Sequence, residues 1–198
     1  MADLDNDGDL EINLDAIAWV PQIWHHDGTQ YRVPCEENEE GCGLDNFLFG
    51  NDSNTEDAPS YSLMNHGTFA KVDPGDSIDL IKGTAGFDFA LTFAEGGTRA
   101  VFDHHLSIWD TKTGAYLEAW PRVVDDWQFF MNPTVADIDG DGLVEVLNGT
   151  GGYLLHATNH LGKEPIGFPK MVGGWIISSP TFGDLTGDGT FDVVSSSR

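Results

Sequence analysis

The sequence predicts an all-β protein built from repeated strand-loop-strand units, and three observations support this prediction. One carboxylate-rich pattern occurs three times in the 198 residues. Short β-branched runs bounded by Gly and Pro lie beside these copies, and such runs are typical of strands. Segments with a polar, Gly-containing turn recur along the chain, and two strands joined by such a turn form a β-hairpin.

The carboxylate-rich pattern spans residues 3–11, 137–145 and 184–192. It places oxygen-bearing side chains at loop positions 1, 3, 5 and 9, and Gly at position 6. Without a cation, several carboxylates within a few Å would repel one another. Calcium accepts six to eight oxygen ligands in flexible geometry, so the pattern predicts three structural Ca²⁺ sites.

The spacing argues against an EF-hand, which needs an acidic residue at loop position 12 and a helix on each side. Position 12 falls on Leu14, Asn148 and Ser195 in the three copies. Because the flanking runs are strand-like, the loops are predicted to join strand to strand.

A fourth, damaged copy spans residues 71–79. Asp73 and Asp79 keep positions 3 and 9, but Lys71 occupies position 1 and Gly75 occupies position 5. Two fewer carboxylates and one added ammonium predict that this copy does not bind calcium. Either Lys71 pairs with Asp73 or Asp79 and replaces the cation, or Lys71 points to solvent.

The hairpin segments at 23–34, 108–121 and 155–169 each end in an apolar residue followed by Pro. First-ligand positions lie 68, 66 and 47 residues apart, and periods of roughly 40–50 residues with about four strands indicate propeller blades. The prediction is a single domain over 1–198, with three to four four-stranded blades and an insertion at about 35–60. Such a ring is incomplete, so other parts of a longer protein or other subunits are expected to supply the remaining blades.

This combination of Asp loop, β-branched strand, hairpin and Trp-Pro or Phe-Pro resembles the FG-GAP/VCBS repeat of integrin-α-type β-propellers. The resemblance implies a carbonyl ligand at loop position 7. It also implies a secreted or cell-surface protein that acts as a binding or adhesion scaffold. The side chain of Thr186 departs from the usual Asp or Asn, which predicts a weaker third site. The implied ligands are Asp3, Asp5, Asp7, Asp9 (carbonyl) and Glu11, then Asp137, Asp139, Asp141, Leu143 (carbonyl) and Glu145, then Asp184, Thr186, Asp188, Thr190 (carbonyl) and Asp192.

The charge of the chain limits its partners. With 33 acidic and 9 basic residues, the formal net charge is −24. Nucleic acids and anionic membranes require basic patches, so neither is an expected partner. No apolar run approaches the ~18–20 residues that span a bilayer. A protein or carbohydrate ligand is expected in an extracellular or periplasmic setting.

Two cysteines, Cys35 and Cys42, bracket a charged hexapeptide in the insertion. A local disulfide fits the extracellular setting. Two free thiols remain an alternative, as does a zinc site completed by His25 and His26. The two histidines are otherwise expected to be exposed in a hairpin turn.

The competing function is a secreted carbohydrate-active enzyme, a lyase or hydrolase, with Asp103, His104 and Asp126 in one pocket. Because adjacent strand residues point to opposite faces, His104 and His105 cannot both line that pocket. Most aromatic side chains are expected in the core, with residues 127–130 the candidate for an exposed, sugar-stacking patch. A binding role is favoured over catalysis, and a purely architectural array is the third possibility.

Overall fold

The computed structural model describes residues 1–14, 18–19, 21–32, 59–86, 88–96 and 103–198. These residues form fourteen β-strands and one short helix, so the predicted all-β class is confirmed. The strands are β1 (Ile12–Leu14), β2 (Ala18–Trp19), β3 (Gln22–Trp24), β4 (Pro59–Leu63), β5 (Thr68–Ala70), β6 (Asp79–Gly86), β7 (His104–Asp110), β8 (Arg122–Val124), β9 (Thr134–Ala136), β10 (Glu145–Gly149), β11 (Leu154–Thr158), β12 (Lys170–Met171), β13 (Thr181–Gly183) and β14 (Asp192–Val194). The helix α1 spans Asp88–Ala94.

The strands form antiparallel sheets that follow one another along the chain, except that β2 of the second sheet precedes β3 of the first. The first sheet pairs β1 with β3. The second has the order β2-β4-β6-β7-β8, with β5 also paired to β6. The third has the order β12-β11-β10-β9, and the fourth pairs β13 with β14. The third sheet is a regular four-stranded meander, which is the unit predicted from the hairpin pattern.

All four Asp-containing loops connect antiparallel strand partners. In each, the residue at loop position 9 lies opposite the residue that precedes position 1. These pairs are Ala2 with Glu11, Ala70 with Asp79, Ala136 with Glu145, and Gly183 with Asp192. The loops therefore join strand to strand, and no helix flanks any of them, all of these flanks being described residues.

Consecutive sheets pack against each other through separate apolar clusters. Leu4 and Ile23 of the first sheet region meet Leu80 and Trp109 of the second. Ile81 of the second sheet shares a cluster with Val146 of the third. A third cluster joins the third and fourth sheets through Ala136, Leu147, Ala157 and Val193. Burial of apolar surface therefore stabilises the packing of each sheet against the next one.

Trp120 is the largest side chain between the second and third sheets. It is 1% exposed and packs with Ile108, Leu117 and Val146. Its indole Nε1 donates a hydrogen bond to the His160 carbonyl at 3.0 Å. The peptide bond from Trp120 to Pro121 is cis, as is the bond from Phe168 to Pro169.

Two parts of the chain differ from the predicted pattern or lie beyond it. Residues 88–94, within a stretch that fits the repeat poorly, form α1 rather than strand. Cys35 and Cys42, with most of the predicted insertion, lie outside the described residues, and so do their disulfide and zinc alternatives. Among the helices of the described ranges, none has the length and apolarity required to cross a bilayer.

Candidate metal centre

The second loop brings three carboxylates together. Oxygen atoms of Asp137, Asp139 and Glu145 lie within 4.8 Å of one another. Glu145 is fully buried, and its Oε2 accepts a hydrogen bond from the Ile138 N–H at 2.9 Å. Its Oε1 is also buried and has no hydrogen-bond partner among the described residues. Burial raises the pKa of Glu145, and the charges of Asp139, Asp141 and Asp137 raise it further. A bound cation would satisfy the unpartnered oxygen and offset this repulsion.

Backbone N–H groups hold the second loop in its turn. Asp137 accepts hydrogen bonds from Gly140 at 2.7 Å through Oδ1 and from Gly142 at 3.0 Å through Oδ2. Oδ1 of Asp139 accepts from the Asp141 N–H, and Oδ1 of Asp141 accepts from the Leu143 N–H. One oxygen of each of these last two carboxylates therefore orders the loop, which leaves the second oxygen for a cation.

The first loop has the same architecture and two overlapping clusters. Asp3, Asp5 and Asp7 form one, with oxygen atoms within 4.8 Å, and Asp5, Glu11 and His25 form the other. Glu11 is fully buried, and its Oε2 accepts from the Leu4 N–H at 2.7 Å. Oδ1 of Asp3 is buried without a partner in the described part of the chain.

His25 is absent from the predicted ligand set, and its predicted exposure is wrong. Its side chain is 23% exposed, and Nδ1 lies 3.1 Å from Oε1 of Glu11 and 3.9 Å from Oδ2 of Asp5. Neighbouring His26 is 54% exposed and lies 3.4 Å from Asp9. The available sequence signal is the position of His25 as the first residue after β3, in the turn that returns toward the loop.

The third loop does not converge in the same way. No cluster of three ligand groups within 4.8 Å forms from Asp184, Asp188 and Asp192, all described residues. Both oxygens of Asp184 accept backbone N–H groups, mainly that of Gly189, and these bonds lower its pKa. A hydrogen bond from the Thr190 hydroxyl at 2.6 Å is the main cause of the lowered pKa of Asp188. Equivalent backbone bonds occupy Asp137 and Asp141 in the second loop, so the third loop differs in that its carboxylates do not converge. The weaker third site expected from Thr186 stays a prediction.

Two loop positions require a left-handed backbone. Position 6 has φ of 96° at Gly8, 91° at Gly142 and 86° at Gly189. Position 4 also has positive φ, at Asn6, Gly140 and Gly187. Glycine adopts this region without steric cost, and Asn tolerates it better than most residues. The sequence pattern identifies position 6, whereas the requirement at position 4 becomes evident from the structure.

The damaged loop follows a different backbone path. Pro74 stands at position 4, and the proline ring fixes φ near −65°. Within residues 71–79, all of them described, no residue has a positive φ. The hydrogen bond from position 2 to position 9 persists, because the Val72 N–H donates to Oδ2 of Asp79 at 2.9 Å. The strand connection is therefore retained without the cation cage.

Of the two alternatives for Lys71, the structure shows the exposed side chain and not the pairing with Asp73 or Asp79. Lys71 is exposed, and no ion pair joins it to either carboxylate, both of which are described. Lys112 approaches this loop instead, and its Nζ donates to the Asp76 carbonyl at 3.1 Å. Asp79 is fully buried, and burial raises its pKa to about 6.

His104 lines a small cavity and lies within electrostatic range of Asp126. A small cavity of about 10 Å³ includes His104 and Trp127 in its lining but neither acidic residue. Burial lowers the pKa of His104. His105, the next strand residue, is fully buried.

The aromatic side chains divide between core and surface. Trp109 and Trp120 are each 1% exposed, in agreement with the expected packing role. Trp127 stacks on Phe129, with ring centroids 4.4 Å apart, and Phe130 is 59% exposed. The segment 127–130 thus has a buried part and an exposed end.

Comparison with known proteins gives a likeness of fold and no match of sequence. No protein-family model and no curated protein matches the sequence. The fold is similar to the crystal structure of the V. cholerae biofilm matrix protein Bap1, with a TM-score of 0.53 and 18% sequence identity. The match covers 75% of this chain and 24% of that chain, so this chain spans about a quarter of Bap1's length. At this identity, the likeness supports the fold alone.

Proposed function

We propose that the chain is a calcium-stabilised segment of a β-propeller of the FG-GAP/VCBS type, which acts as an extracellular binding or adhesion scaffold. The observation that carries the proposal is the second loop. There, Asp137, Asp139 and buried Glu145 converge, and Glu145 keeps one oxygen without a hydrogen-bond partner among the described residues.

The blade arrangement is supported by the order of packing. Each sheet contacts the sheet that follows it in sequence, as blades of a propeller do. The four loops also share a hydrogen bond from the position 2 N–H to the position 9 carboxylate. The donor and acceptor pairs are Leu4 and Glu11, Val72 and Asp79, Ile138 and Glu145, and Leu185 and Asp192.

Calcium suits the second loop because every available donor there is an oxygen. Asp137, Asp139, Asp141 and Glu145 would hold the ion, with the Leu143 carbonyl implied by the family resemblance. The ion would neutralise carboxylates that otherwise repel one another. Backbone hydrogen bonds hold two of these carboxylates in position. The N–H groups of Gly140 and Gly142 fix Asp137, and the Ile138 N–H fixes Glu145.

The proposed setting is outside the cell. The structural neighbour Bap1 is a biofilm matrix protein. Extracellular modules bind calcium at about 10⁻⁴–10⁻³ M, which is adequate there. The net charge of −24 favours neither nucleic acid nor anionic membranes as partners. The scaffold is proposed to bind a protein or carbohydrate, with further blades from the longer protein or from other subunits.

Asp139→Ala should remove a calcium-dependent part of the stability. For one site with a Kd of about 0.1–1 mM, 10 mM calcium stabilises the folded state by about 1–3 kcal/mol. We expect the variant to lose that increment, as measured by thermal unfolding in 10 mM calcium and in chelator.

Asp76→Ala is the matched control, because Asp76 is exposed in the loop that lacks a cation cage. It should retain the full calcium increment. Identical melting curves for the unmodified protein in calcium and in chelator would refute a structural role for calcium.

A further inference from the structure

We propose that a saccharide without acidic groups binds at the edge of the third sheet opposite its Asp-containing loop, at a site built from Asp126, Gly151 and Trp175. This inference rests on the proposed function, because it takes the scaffold to be one that binds a partner. It adds the chemical class of that partner and the residues that contact it.

Three chain connections meet at this edge. Strands of an antiparallel meander alternate in direction, so the connection into β9, the turn from β10 to β11 and the connection out of β12 all lie opposite the loop between β9 and β10. The Gly151 N–H donates to the Trp127 carbonyl at 2.8 Å, and the Ile176 N–H donates to the Thr150 carbonyl at 3.3 Å. Backbone hydrogen bonds therefore join the three connections into one surface.

Gly151 separates a carboxylate from an indole. A methyl group added at its Cα would lie 3.1 Å from Oδ2 of Asp126 and 3.3 Å from Nε1 of Trp175. Because glycine leaves this position empty, the two polar atoms border one small space. Oδ1 of Asp126 accepts the Trp127 N–H at 2.8 Å, whereas Oδ2 and the indole Nε1 have no hydrogen bond within the described ranges.

Trp175 is held firmly and still exposes part of its ring. Its N–H donates to the Arg198 carbonyl at 3.0 Å, and the Arg198 N–H donates to the Trp175 carbonyl at 3.0 Å. Its ring meets that of Phe129 edge-on, with centroids 6.2 Å apart, and the residue is 36% exposed. A side chain that is ordered in advance loses little conformational entropy when a ligand binds.

These groups match the chemistry of a sugar ring. An ionised Asp only accepts hydrogen bonds and an indole only donates them, so one sugar hydroxyl can donate to Asp126 while another accepts from Trp175. The exposed indole face offers apolar surface to the C–H face of the same ring. Aromatic surface with a few convergent polar groups is the usual composition of a small-molecule site.

The charge beside the site selects against acidic saccharides. Asp125 is committed to other partners, because Oδ1 lies 2.8 Å from Nε2 of His156 and Oδ2 accepts from the Thr150 hydroxyl at 2.9 Å. Its side chain nevertheless lies against Gly152, next to the proposed site. Two adjacent carboxylates and a net charge of −24 repel sulfate and uronate groups.

A glycan array tests the class of ligand. We expect the fluorescently labelled chain in 10 mM calcium to bind immobilised neutral glycans and to reject their sulfated and uronate-containing counterparts. The neutral glycan that gives the strongest signal is then titrated in solution. Trp175→Ala should raise its Kd at least about tenfold, as expected for a central aromatic contact.

Gly151→Ala tests the same space without removing a side chain. Gly151 does not have a left-handed φ, so alanine fits the backbone, and its methyl group would obstruct Asp126 and Trp175. We expect this variant also to raise the Kd at least about tenfold. Phe182→Ala is the matched control, because Phe182 is an aromatic residue of similar exposure, 37%, on β13. It should change the Kd by less than about twofold.

Failure to bind any neutral glycan would overturn the inference, and so would an equal Kd for the unmodified chain, Trp175→Ala and Gly151→Ala. The calcium-dependent stability that Asp139→Ala removes is measured on the same preparation and separates the two proposals. If that stability is present and no neutral glycan binds, only the saccharide assignment fails. If calcium has no effect on stability, the calcium-stabilised scaffold is refuted whatever the array shows.

Discussion

Trp120→Ala should lower the free energy of unfolding by about 3–5 kcal/mol, the usual cost of removing a large buried aromatic side chain. Trp120 fills the space between the second and third sheets, where it contacts Ile108, Leu117 and Val146. The substitution also leaves the His160 carbonyl without its indole donor. Denaturant unfolding at constant calcium concentration measures the loss.

Trp120→Phe separates packing from hydrogen bonding. Phe retains most of the buried surface but not the Nε1 donor. We expect the lost hydrogen bond to lower the free energy of unfolding by about 1–2 kcal/mol, in addition to any loss from packing. Trp175→Ala provides the surface comparison, because Trp175 is 36% exposed. Equal losses for Trp120→Ala and Trp175→Ala would contradict the view that the two sheets are held together at Trp120.

Asp79→Asn should stabilise the protein at neutral pH by about 2–3 kcal/mol, since one pKa unit corresponds to about 1.4 kcal/mol. Asp79 is fully buried, and its Oδ1 has no hydrogen-bond partner in the described chain. Burial is the main cause that raises its pKa from 3.8 to about 6, and the charges of Asp73 and Asp110 contribute. The variant keeps an acceptor for the Val72 N–H and removes the buried charge.

The raised pKa of Asp79 predicts how the stabilisation by Asp79→Asn changes with pH. Between pH 3.8 and about 6, the folded protein retains the Asp79 proton and the unfolded chain releases it. The contribution of Asp79 to the stability therefore falls as pH rises through this range and is then constant. The advantage of Asp79→Asn should grow from near zero at pH 4 to its full value above pH 7.

Asp76→Asn changes an exposed carboxylate in the same loop and serves as the control. It should follow the unmodified protein at every pH. If the stability of Asp79→Asn relative to the unmodified protein does not rise between pH 4 and pH 7, the ionised carboxylate is not destabilising, contrary to our expectation.

The strand content and the loop connections could be predicted from sequence because both depend on local patterns. β-Branched runs mark strands, and the missing acidic residue at position 12 argues against helical flanks. Convergence of Asp137, Asp139 and Glu145 also follows locally, since all three lie within nine residues. The calcium itself and the propeller ring stay predictions.

Two side-chain positions could not be predicted from the local sequence pattern. The direction of the Lys71 side chain depends on how the loop leaves the sheet, and Pro74 changes that path. His25 reaches Glu11 across 14 residues because β1 and β3 pair side by side. The position of His25 as the first residue after β3 is the signal from which the contact could be inferred.

The backbone conformation of the damaged loop limits which substitutions could give it a cation site. Restoring two carboxylates at Lys71 and Gly75 would leave Pro74 and Asp76 where the intact loops have Gly or Asn and Gly. Proline cannot adopt a positive φ, so neither carboxylate alone would gain a cation in return. Carboxylates at positions 71 and 75 alone should therefore not create a cation cage in this loop. The strand connection holds without an ion, because the Val72 N–H still donates to Asp79.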